Sequence, residues 1–124
     1  SISEVAIASV ELFFTYVGVR KSFHYSSKEF AVTRGFEKAE RLIAITELLQ
    51  SKNYINAIGG TTLYEKEFFR NKGVNLQFVK PALLPYEHCN GIDSNFNAGL
   101  SIIDLMMNLS VEEIRMHLNS FDLV

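Results

Sequence analysis

Residues 53–80 have the sequence NYINAIGGTTLYEKEFFRNKGVNLQFVK, and this stretch decides the fold. Residues 54–58 are a short run of β-branched and aromatic side chains that ends at two glycines, which is typical of a strand followed by a turn. Thr62 and Glu65 have the spacing of a capping box, and an apolar stripe at helical spacing follows them. Residues 74–78 alternate apolar and polar side chains, as a strand does. So short a strand-helix-strand unit predicts two parallel strands.

The segment before this stretch continues the alternation of strands and helices. Residues 19–25 alternate like a strand, and residues 36–50 carry an apolar stripe opposite a charged face, which predicts a helix. We therefore predict an α/β fold with a small three-stranded parallel sheet (βαβαβ) covered by helices. A C-terminal helical pair is predicted at residues 102–107 and 111–119.

The composition indicates a single-domain cytoplasmic protein. The 124 residues are 48% apolar, which is enough for one core. The 12 basic and 14 acidic residues nearly balance, so there is no electrostatic case for nucleic acid or an anionic membrane as a partner. Neither a signal peptide nor an apolar run long enough to span a bilayer is evident, and the single cysteine, Cys89, cannot form an internal disulfide.

The first predicted helix is apolar on two sides. Ser1 and Glu4 have capping-box spacing at its start, and the helix is predicted to run to residue 17. The side expected to face the core carries Val5, Ala8, Leu12, Phe13 and Tyr16, and the opposite side carries Ile7, Val10 and Phe14. Such a helix is either deeply buried or packed against something that the chain does not contain. We expect the latter, with another copy of the chain or a missing N-terminal half as the partner.

Candidate ligand-binding residues are those expected beyond the carboxyl ends of the strands or at helix starts, where ligands bind to open parallel sheets. They are Ser26, Ser27, Gly59, Gly60, Thr61, Thr62, Tyr64, Tyr86, His88, Ser101 and Asp104. The two glycines let a group approach the backbone, and N–H groups at a helix start suit a phosphate or carboxylate. The alternative is that residues 59–62 are only a tight turn with a cap.

Several of these residues have a plain structural interpretation as well. Ser26 is a helix cap unless a base lies near it, and Asp104 suits the positive end of a helix dipole. His88 adjoins Cys89, a spacing that suits neither a zinc pair nor a Cys–His dyad, so a loop histidine beside an incidental thiol is the simpler interpretation. No metal site is predicted, and the sequence names no cofactor.

The chain resembles the C-terminal half of the WbqC-like family. The resemblance rests on the spacing of Tyr54, Gly59, Gly60, Tyr64, Phe68, Gly73, Leu76, Tyr86, Phe96 and the segment LSIID at residues 100–104, with Ser26 and Ser27 matching a paired-serine segment. The family's N-terminal strand with a Gln-Pro-x-Tyr-x-Pro segment is missing. The resemblance therefore implies that residues 1–124 are a single domain, the C-terminal part of a longer protein.

The resemblance also implies a function. It suggests glycine or acyl transfer to amino sugars in bacterial O-antigen or surface-polysaccharide synthesis, with a nucleotide-sugar or an acyl donor as the small-molecule partner. The donor or nucleotide group is expected at residues 59–62. The alternative is a non-catalytic ligand-binding or packing domain of a larger protein.

Overall fold

The structure, a computed structural model, describes residues 1–87 and 97–124, which form two units. The helical unit comprises residues 1–22 and 82–120 and contains α1 (Ile2–Tyr16), α4 (Ile102–Asn108) and α5 (Val111–Asn119). The sheet unit comprises residues 23–81 and 121–124. Its elements are α2 (Lys38–Leu48), β1 (Asn53–Ala57), α3 (Lys66–Asn71), β2 (Asn75–Pro81) and β3 (Phe121–Leu123), with 3₁₀ helices at Ala31–Thr33 and Ile58–Thr62.

The parallel pairing predicted from residues 53–80 is confirmed. β1 pairs with β2 in parallel, with Tyr54 beside Leu76 and Asn56 beside Phe78. β3 joins the other side of β2 in the antiparallel direction, with Val79 opposite Leu123. The sheet therefore has the order β1-β2-β3 and contains one parallel and one antiparallel pair.

The prediction of three parallel strands is wrong in one strand. Residues 19–25 belong to no helix or strand, and the third position in the sheet is taken by the C-terminal segment. Backbone bonds between Phe78 and Val124 fix this segment, with N–H···O distances of 2.8 and 3.0 Å. The alternation of residues 19–25 includes basic side chains and a histidine, whereas the C-terminal segment supplies apolar ones. The mixed α/β class holds, but the βαβαβ order does not.

The core of the sheet unit lies where α2 and α3 pack on the sheet. Its buried cluster consists of Ile43, Phe69, Val74, Leu76 and Phe78. Phe69 is stacked on Tyr54 with ring centroids 5.9 Å apart and meets Tyr64 edge-on at 6.0 Å. Aromatic pairs at these distances are favourable beyond the area that they bury. The candidate Tyr64 therefore has a packing role in this unit.

α3 begins later than the sequence predicts. Its N-cap is Glu65, and the capping box predicted between Thr62 and Glu65 is absent. The hydroxyl of Thr62 instead donates to the backbone oxygen of Gly59, because residues 58–62 form a 3₁₀ helix of their own. The end of α3 is as predicted: Gly73 has φ +77°, and the N–H of Val74 donates to the oxygen of Phe69 in a Schellman motif.

In the helical unit α4 packs on α5, and the residue that ends α1 contacts α5. Val17, which caps the end of α1, and Ile114 of α5 are both fully buried. Arg115 Nε donates to the backbone oxygen of Val17 at 2.6 Å, so a positive guanidinium lies at the C-terminus of α1, where the helix dipole favours it. α5 starts with a complete capping box from Ser110 and Glu113.

The burial along α1 follows neither predicted side completely. The predicted capping box of Ser1 and Glu4 is present. However, Ile7 and Phe14, from the side expected to need an outside partner, are half-buried within the chain. Val5 and Leu12, from the side expected to face the core, are exposed. Phe13, from the side expected to face the core, is also half-buried, whereas Val10, from the opposite side, is 47% exposed. Periodicity alone does not distinguish two apolar faces.

Candidate functional site: a cleft in the helical unit

The helical unit contains an open cleft of about 660 Å³, which is within the usual size of a small-molecule site. One part of its wall is apolar and the other is polar. The apolar part comprises Leu84, Pro85, Met107, Leu109 and Met116, and the polar part comprises Tyr86, Glu87, Asn108, Glu113 and His117. The cleft thus has the mixed lining by which such sites orient a ligand.

The start of α5 positions a carboxylate and an imidazole on the wall. Glu113 and His117 are four residues apart on α5, so they lie on the same side of the helix. The hydroxyl and backbone N–H of Ser110 donate to Glu113 Oε2 at 2.7 and 2.8 Å. These hydrogen bonds, with a smaller contribution from His117, hold the pKa of the Glu113 carboxyl below its ordinary value. Glu113 is therefore a charged carboxylate throughout the neutral pH range.

Tyr86 connects the cleft to α4. Its hydroxyl donates to Asp104 Oδ2, and its ring meets that of His117 edge-on, with centroids 5.7 Å apart. Desolvation and the neighbouring Asp104 carboxylate raise the pKa of Tyr86 to about 12. Tyr86 is therefore neutral at physiological pH and acts as a fixed hydrogen-bond donor to Asp104.

The charge of the cleft wall is negative. Among the described residues that line it, Glu87 and Glu113 carry charge, and none is a lysine or an arginine. Arg115 lies on the same helix, but its guanidinium is directed to Val17. A cation that enters the cleft meets two carboxylates, whereas a phosphate meets two like charges.

The residues predicted from the sequence are divided between the two units. Ser26, Ser27, Gly59, Gly60, Thr61, Thr62 and Tyr64 belong to the sheet unit, and Tyr86, Ser101 and Asp104 belong to the helical unit. Ser26 and Ser27 lie in an exposed turn, in which Glu29 accepts from the N–H of Tyr25 at 2.7 Å. His88 and its neighbour Cys89 lie outside the described residues.

Within the helical unit, two predicted residues are in contact. Tyr86 and Asp104 are joined by their hydrogen bond although 18 residues separate them in sequence. Ser101 has a capping role: it is the N-cap of α4, and its hydroxyl accepts from the N–H of Ile103 at 3.3 Å. Asp104 is in the first turn of the same helix, as the dipole interpretation expects.

The glycine turn has one tight position and one open position. Gly60 is buried, and a Cβ on it would lie 3.0 Å from Asn56 Nδ2 and 3.1 Å from Phe78 Cε1. A Cβ on Gly59 would meet no atom within 4 Å. The hydroxyls of Thr61 and Thr62 donate to the oxygens of Ile58 and Gly59. In this structure the turn is a packed 3₁₀ helix, with Gly60 against the core of the sheet unit.

We expect Gly60→Val to destabilise the protein and Gly59→Val to be nearly neutral. The new side chain at position 60 must displace Asn56 or the core residue Phe78, and such overpacking costs about 1–3 kcal/mol. Position 59 is exposed and open, so its variant is expected to stay within about 0.5 kcal/mol of the parent. Urea unfolding followed by circular dichroism measures both values. Equal losses in the two variants would contradict the packing described for Gly60.

Sequence reasoning missed two residues of the cleft wall, Glu113 and His117. Neither residue is among the candidates drawn from the sequence, although Ser110 and Glu113 have the spacing of a capping box. The visible signal was their spacing of four residues, which places an acid and an imidazole on one side of a helix. The contact of His117 with Tyr86 was not visible, because it joins residues that are far apart in sequence.

A metal centre and a membrane span are two other kinds of site that residues 1–87 and 97–124 could form. Within these ranges, no group of three or more His, Cys, Asp or Glu side chains is arranged to hold a metal ion. None of the helices there has both the length and the apolar composition to cross a bilayer.

Comparison with known proteins identifies a family. The model of the WbqC-like protein family matches residues 1–116. No curated protein and no solved structure matches the chain significantly.

Proposed function

Since the chain belongs to the WbqC-like protein family, we propose that it takes part in acyl or aminoacyl transfer to an amino sugar of a bacterial O-antigen or surface polysaccharide. The helical unit binds the amino sugar in its cleft. The observation that carries this assignment is the wall of that cleft, where two carboxylates and an imidazole occur without a lysine or arginine among the described lining residues.

The negative charge of the cleft wall favours binding of the amino-sugar acceptor over binding of a phosphate-bearing donor. An amino sugar carries an ammonium group near neutral pH, and the carboxylates of the wall attract it, although solvent screening keeps the gain from each contact modest. Glu113 stays ionised because Ser110 stabilises its carboxylate. The apolar wall around Met107 and Met116 suits the less polar face of a sugar ring. A nucleotide or coenzyme A would bring phosphates against like charges.

Acyl transfer to an amine needs a general base, and His117 is the group on the cleft wall that suits this role. The bound ammonium group first loses one proton to water, and the neutral amine nitrogen then attacks the carbonyl carbon of an activated acyl ester or thioester. A carbon–nitrogen bond forms, the bond to the alcohol or thiol breaks, and the leaving group takes the electron pair. The amine loses a proton, which His117 accepts and then returns to the leaving group or to water. Tyr86, fixed by Asp104, supports the imidazole ring from the side.

The donor site remains the sequence prediction at residues 59–62. Gly59 is open to the outside there, which suits a group that approaches the backbone. We propose that an acyl donor or nucleotide group binds at this turn.

A ligand screen tests the acceptor assignment. We expect glucosamine to raise the melting temperature more than N-acetylglucosamine at equal concentration, because acetylation removes the positive charge and leaves the ring unchanged. Stabilisation follows from selective binding to the folded state. Coenzyme A and uridine diphosphate serve as anionic probes of the turn, and Gly59→Val should weaken whatever binds there. Stabilisation by N-acetylglucosamine equal to that by glucosamine would contradict an amine site.

The second candidate function is a non-catalytic ligand-binding or packing domain. The exposed apolar surface of α1, on which the chain buries no residue, favours it. His117→Gln separates the two: an enzyme is expected to keep amino-sugar binding and lose turnover by about 10²–10⁴-fold, since proton transfer contributes a factor of this size. A binding domain would show no turnover in either form.

A further inference from the structure

α1 carries an exposed apolar stripe with the spacing of a helix–helix interface. Its members, Ile2, Val5, Ser9, Leu12 and Tyr16, follow one another at intervals of three and four residues, and we call them the α1 stripe. All five are exposed; Ile2 is 91% exposed and Leu12 is 67% exposed. This is the a/d pattern by which two helices pack along a seam.

An apolar groove of about 780 Å³ lies beside the α1 stripe, between α1 and α4. Ser9, Leu12 and Tyr16 belong to both the stripe and the groove, and Ile102 and Ile103 form its other wall. None of the described residues that line the groove is charged. The stripe and the groove therefore form one continuous apolar surface of the helical unit.

We infer that this surface binds a second copy of the chain, with the two α1 helices antiparallel across a twofold axis near Ser9. Ile2 and Tyr16 are each seven residues from Ser9, so Ile2 of one copy lies beside Tyr16 of its partner. Val5 and Leu12 lie on either side of Ser9 and pair in the same way. The small side chain of Ser9 lets the two helices approach each other at the axis. The surface is thus self-complementary, as a twofold interface requires.

The exposed area is sufficient for such an interface. Ile2, Val5, Val10, Leu12, Tyr16, Ile102 and Ile103 together expose roughly 800 Å² per copy, which is about the area that each partner buries in a standard-size interface. Antiparallel packing also places the positive end of each α1 beside the negative end of the other, whereas parallel packing brings like ends together. These two features favour a second copy and set its direction.

The oligomeric state tests this inference. We expect the 124-residue chain to elute as a dimer in size-exclusion chromatography with light scattering, and Leu12→Lys to convert it to a monomer. Leu63→Lys is the matched control, because Leu63 is 68% exposed but lies in the sheet unit. This control should remain dimeric. Far-UV circular dichroism confirms that each variant is folded. A monomeric parent, or a dimer that survives Leu12→Lys, would overturn the inference and leave the surface to another occupant.

Cross-linking tests the direction of the helices. In a background with Cys89→Ser, Ser9→Cys is expected to form a disulfide-linked dimer on oxidation, since the two Ser9 positions meet at the axis. Val5→Cys is expected not to do so, because Val5 lies beside Leu12 of the partner. Efficient cross-linking through Val5→Cys would indicate a parallel pair and would overturn the antiparallel arrangement.

Discussion

Replacing Phe69 with alanine is expected to lower the free energy of unfolding by about 3–5 kcal/mol, the usual cost of removing a buried phenylalanine. Phe69 is fully buried, touches the rings of Tyr54 and Tyr64, and belongs to the cluster that joins α3 to the sheet. Its removal leaves a cavity that the neighbouring strands cannot fill without moving. Because domains of this size have a total stability of about 5–15 kcal/mol, the variant should be close to unfolding at room temperature.

Phe68 provides the matched control for this measurement. It precedes Phe69 on α3 and is 39% exposed. Phe68→Ala is expected to cost about 1–2 kcal/mol, because only part of its surface is buried. Urea unfolding followed by far-UV circular dichroism compares the two variants. If the two losses were equal, Phe69 would not be the centre of the packing between α3 and the sheet.

Replacing Glu113 with glutamine is expected to weaken binding of an amino sugar by about two- to fivefold, the range of an exposed ion pair. The factor is modest because Glu113 is exposed, so that solvent screens its charge. Glutamine keeps the capping-box chemistry with Ser110 and removes the charge, so the helix should still form. Glu112→Gln is the control, because Glu112 is exposed on the same helix and is not part of the cleft lining. An equal loss in both variants would indicate a general effect of net charge.

Local patterns were sufficient to predict much of the fold. α2, β1, α3 and β2 follow one another closely in sequence. The parallel pairing of β1 with β2 was therefore predictable from one strand-helix-strand unit. The capping box of Ser110 and Glu113 likewise marks the start of α5. β3 was not predictable, because three residues are too few to show a period and their partner in β2 is far away in sequence.

The start of α3 shows how packing changes a local pattern. Thr62 and Glu65 have capping-box spacing, but Gly60 lies against Phe78 and residues 58–62 close into a 3₁₀ helix. The hydroxyl of Thr62 then donates to the backbone oxygen of Gly59 and does not cap α3. A single sequence does not reveal this choice, because it depends on a contact with β2.

The candidate site was predictable only in part. Tyr86 and Asp104 were both predicted as ligand-binding candidates, and the structure joins them by a hydrogen bond. The grouping of Tyr86 with Glu113 and His117 depends on how residues 84–87 lie against α5. The periodicity of the sequence does not predict this contact. The packing of α1 was also not predictable, since both of its sides are apolar. Only the structure shows which of its residues are half-buried.

The most direct test of the cleft as an amine site is a nuclear magnetic resonance titration of isotope-labelled protein with glucosamine. The account predicts that the backbone amide signals of Tyr86, Glu113 and His117 shift with one common dissociation constant. N-acetylglucosamine should produce much smaller shifts, and Glu113→Gln should raise that constant by about two- to fivefold. If glucosamine shifts no cleft signal, or if N-acetylglucosamine shifts these signals equally, the cleft is not an amine site.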